Sequence, residues 1–568
     1  MVDRESLVEK SLTEFVPKRR HTMNSRTPDE LTGLSLSALQ AKLNSYPRVT
    51  ADSFEPSRER HQGPSARATD ETGTANETRA AHFNRRAFIQ GGTAIMATLA
   101  VAAPLRNMME REASGANISV TSPYGEPVPT ADQATGLELL KLPPGFRYRS
   151  FGWVGDPMND DATTPSVHDG MAVFAQFGPY ALLSRNHEIA AGTPFASRDI
   201  QYSPGAGGGC TNLLFNTWTG QWVYAFASLA GTFRNCAGGP TPWGTWLSCE
   251  ETDITSAGGA FKHGYVFQVG SFSSDAEPLR AMGRFRHEAV ACDPRSGVIY
   301  LTEDDGDTSG LYRFVPNFPG VLAAGGTLQM AMVKGTPNVD FRRAAADGSV
   351  YELDWVTIDQ PDPDLENGEP RTYFQGFSNG AARFRRLEGI WYGNGKFYIV
   401  STSGGPNSSD SGVGEGIVFE LTPPSPSWIS APTSGGTLQA IYTSPAAATL
   451  NNPDNISVSP GGALLLCEDA GGGGSGPDRL VGLTLEGQAF TFAVNNIDFR
   501  STALGPFTRE ESGITFNGSH LQSEWAGATF DYSGQWLFVN IQSPGITFAI
   551  TGPWQDGPLG QERRALPF

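Results

Sequence analysis

The sequence predicts an all-β protein, a six-bladed β-propeller with long insertions between its strands. Two observations carry this prediction. Glycine (67 of 568 residues) and proline (40) are abundant while only 18% of residues are charged, a profile of many short strands and turns rather than long helices. The second is a recurring hairpin: "HDGMAVFAQFGPYALLSRNHE" at 168–188, "HEAVACDPRSGVIYLTED" at 287–304, "LEGIWYGNGKFYIVSTSGG" at 387–405, "PDNISVSPGGALLLCEDA" at 453–470 and "EWAGATFDYSGQWLFVNIQSP" at 524–544. A sixth, "GGPTPWGTWLSCEE" at 238–251, keeps only its second half clearly.

Each unit reads as an acid, an apolar strand, a glycine-containing turn, a second apolar strand and a polar or acidic end. The turn glycines stand at 178, 244, 297, 395, 462 and 534, so the unit recurs every 53 to 98 residues. That spacing is too irregular for a solenoid and suits blades that carry insertions. Blades bury their faces against neighbours, so the apolar residues between the acids need no function of their own.

Ahead of the repeats, Arg85 and Arg86 directly precede an apolar run at 91–103 that ends in Ala102 and Ala103. This pattern is similar to a twin-arginine export signal, and the run is too short for a membrane span. The expected organisation is a polar extension and signal over 1–106, then one catalytic propeller over 107–568. The product is expected in the periplasm or outside the cell, delivered by the twin-arginine machinery, and monomeric. A net charge of −18 with no basic stripe excludes nucleic acid as a partner. Five cysteines, at 210, 236, 249, 292 and 467, form no CxxC pair.

The acids keep a register. Six residues past the turn glycine stand Glu250, Glu303, Ser401, Glu468 and Asn540, and ahead of the first strand stand Asp169, Glu288, Glu388, Asp454 and Glu524. A hairpin brings these two ends together, and like charges on opposed strands repel. Hard cations, which take roughly six to eight oxygens, remove that penalty. The recurring outgoing position makes Glu303 the stronger ligand candidate and Glu288 a second-rank one, with Asp304 and Asp305 read as loop acids. Cys210, in "GAGGGCTN", offers a soft ligand for a transition ion or is a buried core thiol. The other cysteines read as core. Asn186 in "RNHE" and Arg383, Arg385 and Arg386 in "RFRRLEG" offer phosphate contacts, arginine's fork matching phosphate oxygens.

Together, "RNHE", "GGGCTN", "PWGTWLSCEE", "HEAVACDP" with "VIYLTEDD", "RRLEGIWY", "PDNISVSPGGALLLCEDA" and "EWAGATFDYSGQWLFVN", in this order over 120–568, resemble the PhoX-type alkaline phosphatases. The resemblance implies a six-bladed propeller whose channel holds iron (Fe3+), calcium (Ca2+) and a bridging oxo group, and which hydrolyses phosphomonoesters. Carried over by motif, the metal ligands are Cys210, Glu250, Glu303, Glu388, Asp454, Glu468 and Glu524. Arg386 and Asn186 are the phosphate contacts. Two other classes fit the residues: a calcium-dependent propeller hydrolase acting on phosphotriesters or lactones, and a non-catalytic propeller stapled by cations.

Overall fold

The computed structural model describes residues 30–49, 120–196, 199–256, 260–406, 414–424, 434–470 and 476–561. The twin-arginine segment lies outside them. Strands dominate. Among the described residues the α-helices are two short ones, Leu36–Leu43 and Thr372–Ser378, and no helix is long and apolar enough to cross a membrane.

The repeated unit folds as six antiparallel hairpins, numbered here in chain order: 168–187, 235–250, 287–303, 387–401, 453–468 and 525–541. Their turn glycines all have φ between 55° and 87°, a backbone that only glycine adopts without strain. The six first strands touch one another in sequence, and the last touches the first, closing a ring around an axis. The ring is sewn shut by the strand Arg147–Phe151, which stands just before the first hairpin in the chain and pairs with Ile546–Thr551 at the outer edge of the sixth hairpin's sheet. Apolar side chains fill the wedges between neighbouring sheets. Leu465 and Phe492 meet Val539 and Phe548 in one wedge, and Leu213 and Ala225 meet Phe538 and Ala549 in another.

The arrangement is therefore all-β and propeller-like, but hydrogen bonding does not divide it into six separate sheets. The third and fourth hairpins share one nine-stranded sheet, because the long insertion after 333 returns as Val350–Thr357 and pairs on both of its edges, with Gly326–Val333 and with Ser434–Thr443. The second hairpin's sheet has three strands, and the fifth gains Leu140–Leu142 and Val128–Thr130 at its edge. Residues 30–49 also pack onto this body, although the sequence reads as a polar preface there. Leu31, Leu39 and Leu43 are fully buried.

Candidate active site

Each of the six first strands carries a β-bulge at the same place, two residues opposing one on the partner strand. A bulge re-aims the side chain that it displaces. The first displaced residue is Asp169, Cys236, Glu288, Glu388, Asp454 and Gly527 in turn. Glycine or alanine follows in five of the six, Asn455 being the exception, because adjacent first strands nearly touch: a Cβ on Gly170 would sit 2.5 Å from the Ala237 Cα, and one on Gly389 would sit 2.7 Å from the Asp454 carbonyl oxygen. Five chemically capable side chains thus converge on one end of the axis. The ingoing positions hold the centre: four hairpins supply carboxylates there, the second supplies a thiol, and the sixth has Gly527 and reaches the site instead through Glu524, ahead of its strand.

The outgoing positions behave differently. The Glu250 carboxylate accepts from the backbone N–H of Gly264 (2.8 Å) and Tyr265 (3.2 Å), from Phe233 N–H (2.8 Å), and lies 2.7 Å from His263 Nδ1. Glu303 Oε2 accepts from Gly310 N–H (3.1 Å) and the Tyr312 hydroxyl (2.7 Å), and burial raises its pKa to about 8. Glu468 accepts from Arg479 through its backbone N–H (3.0 Å), Nε (2.8 Å) and Nη2 (2.5 Å). Third strands start at Val266, Leu311 and Arg479. The recurring carboxylate is a cap on the start of the third strand, satisfying N–H groups that precede its ladder. The structure does not bring these three acids to the axis.

One residue further on, the chain turns to the other face. Glu251, Asp304 and Asp469 therefore join the channel that the neighbouring Glu250, Glu303 and Glu468 leave, as a one-residue change of register requires. Glu188 comes in beside them from the end of the first hairpin. Single oxygen or sulfur atoms of Asp169, Glu188 and Cys236 lie within 4.8 Å of one another; so do those of Cys236, Glu251 and Glu288, and those of Asp454, Asp469 and Glu524. Cys210 is elsewhere. Its Sγ donates to Asn186 Oδ1 (3.1 Å) inside the first sheet, and burial pushes its thiol up to about 12. Asn186 is fully buried and used up. Its amide donates to the carbonyls of Cys236 (3.1 Å) and Ala237 (2.6 Å), and its oxygen accepts from Trp246 Nε1 and Ser248 Oγ, both at 2.9 Å. It fixes the strand that carries Cys236 and touches nothing in the channel.

Two arginines lie among the acids. Arg386 donates from Nε to Asp304 Oδ1 (3.1 Å) and from Nη2 to Asp304 Oδ2 (3.1 Å). Its Nη2 also makes an ion pair with Glu388 Oε1 at 2.5 Å. Arg234 bridges Glu188 and Glu251, at 2.5 Å from each. Both arginines have left-handed backbones, φ 41° and 53°, a strained choice that clusters at functional sites. No sequence pattern pointed to Arg234.

The acids are electrostatically costly as they stand. Burial raises the carboxyls of Asp169, Glu288, Glu388 and Glu524 well above the usual range, and neighbouring carboxylates raise them further. Burial also lifts Glu251 to about 8 and Asp454 to about 6, and it raises the Cys236 thiol well above its ordinary value, with Asp169 and Glu288 adding to it. Glu288 Oε1 and Glu524 Oε1 have no hydrogen-bond donor, and Glu388 has the Arg386 ion pair. Buried anions without partners cost several kcal/mol each, so this donor set fits multivalent cations. Beside it opens a polar pocket of about 1000 Å³, lined by the channel acids Glu188, Asp469 and Glu524 together with Gln542, Arg500, His520 and Ser543.

The family model of the alkaline phosphatase PhoX matches residues 123–227 and 223–545. The chain belongs to the alkaline phosphatase PhoX family. It is a metal-dependent phosphomonoesterase, so its substrates are small phosphate esters. A search of curated proteins finds no match. Among solved structures, the gluconolactonase XC5397 of Xanthomonas campestris is 14% identical, covering 76% of this chain and 98% of its own, with a TM-score of 0.32. The calcium-binding protein regucalcin of Agrobacterium tumefaciens is 10% identical, covering 73% and 98%, with a TM-score of 0.29.

Proposed function

We propose that this alkaline phosphatase binds a mixed iron and calcium cluster at the bulge ring of a six-bladed propeller. The observation that carries the reading is the sharing of Cys236 between two acidic groups, while the third group, Asp454, Asp469 and Glu524, is all carboxylate. A thiolate among carboxylates suits iron, and an all-oxygen group suits calcium. Cys236 takes the role that the motif resemblance gave to Cys210. Glu288, with its unpaired Oε1, and Glu388 complete the donor set, and a bridging oxo group is compatible with a donor set this close. The six hairpins, each carrying the same bulge, act as the six blades.

Bound there, the cations supply positive charge that neutralises the phosphoryl oxygens. The chain's own groups do the rest. Arg386 reaches the acids from one side; its salt bridges through Nε and Nη2 to Asp304 and Glu388 hold it oriented before substrate arrives, and Nη1 is the nitrogen that donates to a phosphoryl oxygen. Arg234 holds Glu188 and Glu251 apart in fixed positions. The polar pocket next to Glu524 receives the alcohol part of the ester, where Gln542, Ser543 and His520 offer hydrogen bonds. Export by the twin-arginine route, carried by Arg85-Arg86 and the run at 91–103, places the enzyme in the periplasm or outside the cell and suits cations loaded before transport.

Elemental analysis of the purified protein, with turnover of 4-nitrophenyl phosphate at alkaline pH before and after chelation, tests the cluster. Iron and calcium together, with activity lost on chelation and regained on their return, are expected. A protein without iron, or activity indifferent to chelation, sinks it.

A further inference from the structure

The segment 30–49 stands before the twin-arginine pair in the chain, yet it is built into the catalytic body. Ser35 caps the helix Leu36–Leu43, its hydroxyl accepting from Ala38 N–H (3.3 Å). The buried face of that helix, Leu39 and Leu43, joins Leu31 in the core of the first sheet beside Phe177, Tyr180 and Tyr224. The Tyr224 hydroxyl donates to the Leu34 carbonyl (2.8 Å), and Tyr46 packs edge-on against Tyr180 at 5.3 Å between centroids. The chain then adds a strand to the first strand of hairpin one, Arg48 opposite Phe177 and Val49 opposite Gln176. Gly178 N–H donates to the Pro47 carbonyl (3.0 Å).

This surface lies at the turn end of the hairpins, opposite the acids. Arg48 crosses between blades there. Its guanidinium stacks on Phe177 at 5.7 Å and its Nη2 reaches the Gly244 carbonyl (3.5 Å) in the turn of hairpin two. Its charge also acts on Tyr532 in the turn of hairpin six. A helix seated by apolar anchors and followed by strand addition combines two established modes of peptide recognition.

We infer that the turn-end face of hairpins one and two is a peptide-docking site whose occupant is the segment Glu30–Val49 of the same chain, held strongly enough to stay after the 50–119 connection is cut. Once that connection is cut, segment and body form a noncovalent two-chain complex. The segment touches none of the channel acids, so it holds blades together and leaves catalysis alone.

Limited trypsin digestion of the full chain, which offers Arg58, Arg60, Arg67 and Arg79 in the connection, followed by gel filtration and denaturing mass spectrometry, tests this. The fragment containing 30–49 is expected to co-elute with the domain at about one to one. In the full-length Leu39→Asp/Leu43→Asp variant the cut fragment is expected to elute alone, with turnover of 4-nitrophenyl phosphate retained and the thermal midpoint lowered. A synthetic peptide of residues 30–49 added to that cut variant is expected to rebind and raise the midpoint. Loss of the wild-type fragment from the cut domain, retention of the Asp-substituted fragment, or failure of the peptide to rebind overturns the inference.

Discussion

Removing the cations should reverse how the folded enzyme responds to pH. Without them, burial with help from Asp304 raises Glu251 from 4.5 to about 8, Arg234 opposing, and burial raises Asp454 from 3.8 to about 6. A carboxyl raised in the folded state binds its proton more tightly there than in the unfolded chain. Its contribution is complete below the unfolded pKa and is lost as pH climbs through the folded one. For Glu251 that window runs from 4.5 to about 8, and at roughly 1.4 kcal/mol per pH unit the loss is about 5 kcal/mol. Asp454 adds about 3 kcal/mol between 3.8 and about 6. The loaded enzyme runs the other way, because its ligands must lose their protons to hold cations, so it gains stability as pH rises out of the acid range. The assay is the thermal midpoint of chelated and loaded full-length protein from pH 5 to 9. The chelated midpoint should fall steadily to pH 8 while the loaded one does not. A chelated midpoint that is flat or rising refutes the placement of these acids as a cation site.

Three further outcomes follow from the same geometry. Cys236→Ala should lower iron content and phosphatase activity together, whereas Cys210→Ala, a buried thiol bonded to Asn186, should keep both; equal iron in the two variants would assign the thiolate no metal. Asp469→Asn should reduce calcium content with little change in fold, while Glu468→Gln should keep the cations but lose about 3 kcal/mol in denaturant unfolding, because it leaves the Arg479 guanidinium without its buried partner. Arg386→Ala should reduce kcat for 4-nitrophenyl phosphate on the order of 100-fold, the cost of removing one donor aimed at transition-state charge, with metal content unchanged; unaltered kcat would remove it from the phosphate site.

Much of the fold was legible because its signals are local. The turn glycines need no tertiary information: a left-handed residue between two apolar runs makes a hairpin whatever surrounds it. The ingoing acids Glu288, Glu388, Asp454 and Glu524 were legible for the same reason, since they sit beside the strand they introduce. The joined sheet of hairpins three and four was not legible, because pairing across the insertion at 350–357 is a contact between distant segments. Nor was the docking of residues 30–49, whose three buried leucines are too sparse to stand out from a polar stretch.

The sequence by itself determined that acids recur at the open ends of the hairpins, and that arginine stands among them at Arg386. Only the tertiary structure decided which acid faces the axis. Glu250 and Glu251, Glu303 and Asp304, and Glu468 and Asp469 are adjacent in the chain, and strand alternation sends the first of each pair to cap a third strand and the second to the channel. The bulge in every first strand decided the centre. It aims Cys236 where four of the other hairpins aim a carboxylate, and a bulge is a property of the ladder between two strands that neither strand's sequence announces alone.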